Sequence, residues 1–500
     1  MFDIQTAFEL QANGKLEEAA EIYKKFLELN PCQPDVSNLL GLIYLKQNKL
    51  NEAKELFITA TEGFPCAEFF QNLGLVHYKQ KNYQMAMECF DKVLEYEPNN
   101  LDITRDFAQM AKKSEQFFYG IKFFEKALSI ESNDWVGWNN LGLLYEKTKD
   151  FQKAKECYIN SLKSEKNYEA LHNLGVLQRT LRNFDESTRC LKEALKLRPN
   201  HYETMISLGM SYLSKKDFKN GRKYYQVTKQ EVKEKYKNHW DGKEHKDKIL
   251  FVYYYAGFGD HIMFSRYFPL LKKYFKEVKV WLPPNVKAIL EHNFPEIVFV
   301  DTNKVEYDYS ASIMELHFLL NLDFDNIPNP EGYLTPDTTL IEKYQKEFFS
   351  TDKPKIGLFW QGNPNVFANR SIKLKELEQI FLNKEEDFIF YSFEKEDKEN
   401  QIDNYPQIID LGKTFSNFSD TAAALTSIDV LITIDSAIAH LAGAMGIKTY
   451  LMLPYSSEWR WFDDTETTPW YDSIKIFKQE KSYCWADVVG KITNEIKNIK

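Results

Sequence analysis

No stretch of this 500-residue chain approaches the roughly 18 consecutive apolar residues of a membrane-spanning helix, which argues against a helical span. The start, MFDIQTAFEL, has no basic segment followed by an apolar run, so no secretory leader is expected. Six cysteines are scattered along the chain without a C-x-x-C pair, and they read as reduced thiols in a cytoplasmic protein. His and Cys show no zinc-site spacing, and no G-x-G-x-x-G marks a dinucleotide site, which disfavours an NAD enzyme. Basic residues are not in excess: 64 Lys and Arg face 73 Asp and Glu, for a net charge of −9. That balance argues against a protein that grips a nucleic-acid backbone, although a local basic cleft stays open. Aromatic residues are abundant, with 29 Tyr and 37 Phe, and both helical repeats and a stacking pocket for a base or sugar use them.

The first half carries an internal period. Gly41, Gly74, Ala108, Gly142, Gly175 and Gly209 recur every 33 or 34 residues, and Asn72, Asn140 and Asn173 each stand two residues before one of them. Nine residues after the glycine comes a large apolar residue (Leu50, Tyr83, Phe151, Phe184, Phe218), then a small one (Ala53, Ala86, Ala154, Ser187, Gly221). Pro31, Pro65, Pro98 and Pro199 close units, since proline cannot continue a helix. Small residues on both helices permit close approach, and large ones such as Trp138, Tyr145 and Tyr158 fill the space between. This pattern resembles the tetratricopeptide family. Seven units fit between residues 1 and 228, the first partial and the fourth (101–132) degenerate.

Such arrays coil into a superhelix whose concave groove commonly binds an extended peptide or a protein surface. Asn72, Asn140 and Asn173 fall on the helix that lines the groove. They are expected to face solvent there and to bond a ligand backbone, or else to cap a neighbouring turn. The alternative for the whole array is a brace or an assembly surface.

Residues 229–248 read as a charged linker. From residue 249 the pattern changes to α/β. Strands are expected at 249–255, 278–282, 297–300, 356–360, 388–392, 408–411, 429–434 and 449–453. Helices are expected at 261–275, 285–292, 374–382 and 436–445. The proline-bearing segment 327–336 separates two Rossmann-like lobes, 249–336 and 337–500, with a cleft beyond the carboxyl ends of their strands.

Here several ordered motifs carry a resemblance. Asp435-Ser436-Ala437-Ile438-Ala439-His440 is similar to the nucleotide-diphosphate motif of heptosyltransferase-like glycosyltransferases (glycosyltransferase family 9) of the GT-B fold. Gly257-Phe258-Gly259-Asp260, followed by Phe264-Ser265-Arg266-Tyr267, is similar to their first-strand turn. Trp240-Asp241-Gly242, Trp360-Gln361-Gly362-Asn363, Arg370-Ser371-Ile372, Trp459-Arg460-Trp461 and Pro469-Trp470-Tyr471 match the bacterial branch that carries tetratricopeptide repeats. Ala437 stands where heptosyltransferases proper have Gly, a mark of that branch. Tyr255-Ala256 replace an acidic residue and Gln frequent before the G-x-G-D turn.

The resemblance implies an inverting, metal-independent transferase that takes a nucleotide-sugar as substrate and needs no cofactor. Asp260 is the candidate base for the acceptor hydroxyl, with helix capping as its alternative role. Backbone N–H groups of Ser436, Ala437 and Ile438, with the Ser436 hydroxyl, would hold the diphosphate at a helix N-terminus. His440 would bond a phosphate or sugar oxygen, or simply pack. Asp435 would order its turn. Arg370 and Arg460 are the cationic partners, Gln361 and Asn363 would read donor hydroxyls, and Gly257 and Gly259 shape the turn beside the donor. Asp323-Phe324-Asp325 has D-x-D spacing but reads as a loop between the lobes, not a metal site.

The leading reading is transfer of a sugar to a protein or peptide docked by the repeats, a bacterial surface protein such as flagellin being a reasonable acceptor. The alternatives are a transferase for lipopolysaccharide or another surface glycan, and a non-catalytic scaffold with a relic sugar-nucleotide domain.

Overall fold

The 33–34-residue period becomes a series of antiparallel helix pairs, and the small residues do what their spacing implies. In the computed structural model, which describes residues 4–225, 230–362, 370–462 and 465–499, a Cβ on Gly41 would stand 2.7 Å from the Phe57 ring. One on Gly74 would stand 2.5 Å from Phe90, and one on Gly142 would stand 2.6 Å from Tyr158. These pairs are helix Pro34–Lys46 against Leu50–Gly63, Ala67–Lys79 against Tyr83–Tyr96, and Trp135–Lys147 against Phe151–Ser164. The first unit is also a helix pair, Ile4–Ala12 and Leu16–Leu29, with 9 residues in its first helix against 13 in that of the second unit. The tight turn inside each unit after the first passes through left-handed backbone at Asn48, Lys81, Glu115, Lys149, Arg182 and Lys216, with φ between 59° and 66°. Burial pushes the thiols of Cys89, Cys157 and Cys190 up, to about 11, about 12 and about 12. Among the described residues no helix is long and apolar enough to cross a membrane.

The chain divides into two compact units, residues 1–177 with 196–198, and residues 178–195 with 199–500. Within the first unit the groove asparagines differ from expectation. Asn72 and Asn140 are buried rather than solvent-facing. Asn72 donates to Asn38 Oδ1 at 2.8 Å, and Asn38 in turn donates to Glu68. Asn173 donates to Asn139 Oδ1 at 2.9 Å, and Asn140 accepts from Lys112 Nζ. A buried amide must find a partner, and here the partner comes from a neighbouring repeat. The asparagines form an inter-repeat ladder.

The second unit holds two parallel sheets. Four strands, β1 (His245–Tyr253), β2 (Phe275–Trp281), β3 (Val298–Val300) and β4 (Tyr309–Ser312), lie in the order β3-β2-β1-β4. Six more, β5 (Lys355–Phe359), β6 (Ile389–Ser392), β7 (Ile408–Asp410), β8 (Val430–Ile434), β9 (Thr449–Leu453) and β10 (Ile474–Lys478), lie in the order β10-β9-β8-β5-β6-β7. Every residue of β8 and β9 is buried, as a parallel sheet covered on both faces requires. Strand β1 starts inside the segment expected to be linker, pairing His245 with Phe275. The helix expected over 261–275 is two short ones, Phe258–Ser265 and Phe268–Leu271, the second restarted by Pro269. The helix expected over 374–382 begins as a 3-10 turn, Leu374–Leu377. Asp323 lies 3.5 Å from Arg222, and Asp325 sits in the 3-10 turn Phe324–Asn326.

The last repeat belongs to this unit. Leu213, Phe218 and Tyr225 share a core with Trp240 and Trp459. The Tyr225 and Phe218 rings meet Trp459 edge-on at 5.7 and 6.2 Å.

Candidate functional site

The carboxyl ends of β1 and β8 bring two helix N-termini together. After β1 the chain turns through Ala256, held at φ +88°, to Gly257, and helix Phe258–Ser265 begins. After β8, Asp435 and Ser436 lead into helix Ala437–Ala444, with Ser436 extended at φ −158°. The two first turns abut: a Cβ on Gly259 would lie 2.6 Å from His440 Cδ2 and 3.3 Å from Ala437 Cα. A side chain at Gly257 would meet only Asp260, at 3.7 Å. Gly259 is therefore needed for contact between helices, and Gly257 is not.

Asp260 fills the capping role weighed from the sequence and is paired with a cation as well. Its Oδ2 accepts from the Gly257 backbone N–H at 3.2 Å, closing the helix N-terminus. Its Oδ1 takes Arg460 Nη2 at 2.6 Å. Arg460 sits in the 3-10 turn Trp459–Trp461, and its Nη1 donates to Glu458 at 3.2 Å. Burial opposes the Arg460 charge, but Asp260, Tyr225 and Glu458 more than offset it and hold the guanidinium firmly protonated. Burial also raises the carboxyls of Glu458 and Asp435, against the pull of nearby arginines.

His440 is buried rather than reaching into open space. Its ring stacks on Trp461 at 5.0 Å, and its Nδ1 lies 3.1 Å from the Tyr471 hydroxyl. Burial, with Arg460, Arg266 and Arg370 around it, keeps the imidazole neutral, far below its ordinary pKa. Its packing role is thus real. Ser436 Oγ stands 3.4 Å from Thr433 Oγ1 and forms no side-chain cap on its helix.

Gln361 is committed elsewhere: its amide donates to Asp397 Oδ1 at 3.0 Å. The backbone N–H groups of Trp360 and Gln361 both donate to the buried Glu394, at 2.8 and 2.5 Å. Burial pushes Glu394 up to about 8 despite these two bonds. Arg370 folds over Gly362, where a Cβ would stand 2.6 Å from its Nε. Asn363 lies outside the described residues.

Beside the helix Ala437–Ala444 N-terminus lies a pocket of about 180 Å³, with Phe258, Phe359, Phe393, Phe415 and Phe418 in its wall and Lys395 as its cation. Ala437 and Ile438 form part of the same wall. These phenylalanines come from several separate segments, and no sequence spacing joins them. Arg266 is another group whose position sequence reading missed. It is 1% exposed, donates to the Trp470 carbonyl at 2.9 Å, and lies over the Tyr333 and Tyr471 rings at 4.7 and 4.8 Å. Its place in the F-S-R-Y segment was the available signal. Among the described residues no group of three or more His, Cys, Asp or Glu is arranged to hold a metal ion.

The family pattern that matches this chain falls on the repeats. The tetratricopeptide repeat pattern matches residues 10–68, 67–100, 123–156 and 168–201, so the N-terminal half is built of tetratricopeptide repeats. Protein FlbA of Caulobacter vibrioides is 22% identical over 291 residues, covering 52% of this chain and 48% of that protein. Protein O-mannosyl-transferase TMTC1 of Homo sapiens is 23% identical over 154 residues, covering 30% of this chain and 18% of that protein. The chain thus spans less than half the length of either relative. Among solved structures, YrrB, a TPR protein with an unusual peptide-binding site, is 20% identical, with 37% of this chain and 97% of that one covered and a TM-score of 0.31.

Proposed function

We propose that this chain is an inverting, metal-independent glycosyltransferase of the GT-B type, moving a sugar from a nucleotide-sugar to a protein or peptide acceptor docked by the repeats. The observation that carries the reading is the convergence of Asp260, Arg460 and the first turn of helix Ala437–Ala444 at one point between two parallel sheets. A carboxylate, a cation and a helix N-terminus are what such a transfer needs. The acceptor oxygen bonds to the anomeric carbon while the bond from that carbon to the diphosphate oxygen breaks. The hydroxyl proton passes to Asp260. The diphosphate leaves toward the N–H groups of the helix turn and toward Arg460 and Arg370, which neutralise its charge.

The phenylalanine-walled pocket next to that turn suits a nucleobase, which stacks on aromatic rings while Lys395 lies near the anionic end. The relatives named as protein O-mannosyl-transferases support transfer to protein, at 23–26% identity over a third of the chain or less. The test is a thermal-shift screen of the full chain with UDP, GDP, CDP, ADP and dTDP in the presence of EDTA. One of them should raise the melting temperature. No shift with any of them, or a shift that needs a divalent cation, would refute the reading.

A further inference from the structure

The Asp260–Arg460 pair spans the two α/β lobes. Asp260 stands on the helix after β1, and Arg460 on the turn that follows β9. At 2.6 Å the contact is a short, charge-assisted bond, and the two side chains are only 18% and 10% exposed. The other Asp260 oxygen is occupied by the Gly257 N–H. In this state both oxygens of the candidate base already have donors, and neither is free to meet an acceptor hydroxyl.

We propose that Arg460 is a clasp on Asp260 that the donor's diphosphate opens, so that the base is released only when a donor is bound. The proposal rests on the donor-site reading above. A diphosphate carries more negative charge than one carboxylate and offers the planar guanidinium paired oxygens. The helix turn at Ser436–Ile438 that would receive it adjoins the same contact, because Gly259 touches Ala437 and His440. Arg460 is also tied to Glu458, so it can swing from Asp260 while one nitrogen stays anchored. Arg460 acts on the acceptor only through Asp260, which makes it a positioning residue there. The enzyme then binds donor before it can use acceptor.

Linkage gives a sign that a plain phosphate-binding role would not. If the diphosphate must take Arg460 away from Asp260, the pair costs donor affinity, and removing the Asp260 charge must strengthen binding. The full chain is titrated calorimetrically with the nucleoside diphosphate that stabilises it best, and with inorganic pyrophosphate, both in EDTA. Asp260→Asn is expected to bind either probe about tenfold more tightly than wild type. Arg460→Met is expected to bind more weakly. The tightening by Asp260→Asn should vanish in the Arg460→Met background, which separates the clasp from simple loss of a repelling charge. Because Trp459 and Trp461 flank Arg460, unliganded Asp260→Asn should also show tryptophan emission shifted toward that of liganded wild type. Asp260→Ser serves as a second variant if Asp260→Asn does not fold. Unchanged or weaker binding by the Asp260 variants, or tightening that persists without Arg460, overturns the clasp alone. Failure of folded wild type to bind any nucleoside diphosphate overturns the donor-site reading and the clasp together.

Discussion

Gly259 and His440 touch across the two lobes so closely that a single methyl group at 259 would stand 2.6 Å from the imidazole. His440 cannot yield easily, since it is stacked on Trp461 and bonded to Tyr471. Gly259→Ala should therefore force the two helix turns apart and destabilise the fold by about 1–3 kcal/mol, the usual range for overpacking. Urea unfolding of both glycine variants checks this. Gly257→Ala, whose new methyl would meet only Asp260 at an ordinary 3.7 Å, should unfold close to wild type.

Asp260→Asn keeps the size of the side chain and loses its capacity to take a proton. Transfer to an acceptor should fall by about 10²–10⁴, the common range for general-base loss. The measurement is initial-rate transfer once a donor and acceptor pair is in hand. A near-normal rate would assign Asp260 to helix capping alone, the role its bond to Gly257 already fills.

Glu394 makes stability depend on pH. Its carboxyl is raised from 4.5 to about 8 by burial, so between those values the folded protein keeps a proton that the unfolded chain has lost. Stability must then fall as pH rises across that window. Glu394→Gln retains an oxygen for the Trp360 and Gln361 N–H groups and removes the titration. Chemical denaturation at pH 5 and pH 8 should show a smaller difference for the variant than for wild type.

Asn72→Ala should destabilise the repeats even though no ligand is bound. It strips a hydrogen bond from the buried Asn38 and breaks the chain Asn72–Asn38–Glu68. An unsatisfied buried polar group costs about 1–3 kcal/mol. Loss of helical circular dichroism on urea titration checks it. A variant as stable as wild type would return Asn72 to the status of a groove residue.

The parts of this fold legible in the sequence were those set by local chemistry. The glycines of the repeats announce helix contacts because only a missing Cβ lets Gly41 meet Phe57. Strands β8 and β9 announce themselves as apolar runs that hold one threonine each, Thr433 and Thr449. Strand β4 does not, because Ser310 and Ser312 are buried polar residues that interrupt the apolar run. Strand β10 was hidden by its lysines, Lys475 and Lys478, which border the half-buried edge of the sheet. At the site, the helix start after Asp435 was readable from its motif. The pairing of Asp260 with Arg460, the wall of phenylalanines and the Glu394 clamp were not, since each joins residues far apart in the chain. The asparagines were read as facing a ligand because single-repeat logic cannot see that the preceding repeat supplies their partner.

The shared core of Leu213, Phe218 and Tyr225 with Trp459 sets where this protein can be cut and recombined. A fragment beginning at Trp240 would leave Trp459 bare where Tyr225 and Phe218 now cover it, whereas one beginning near residue 178 keeps that face sealed. The final helical pair is part of the α/β body, and chimaeras that graft foreign arrays onto this body should keep that pair with it.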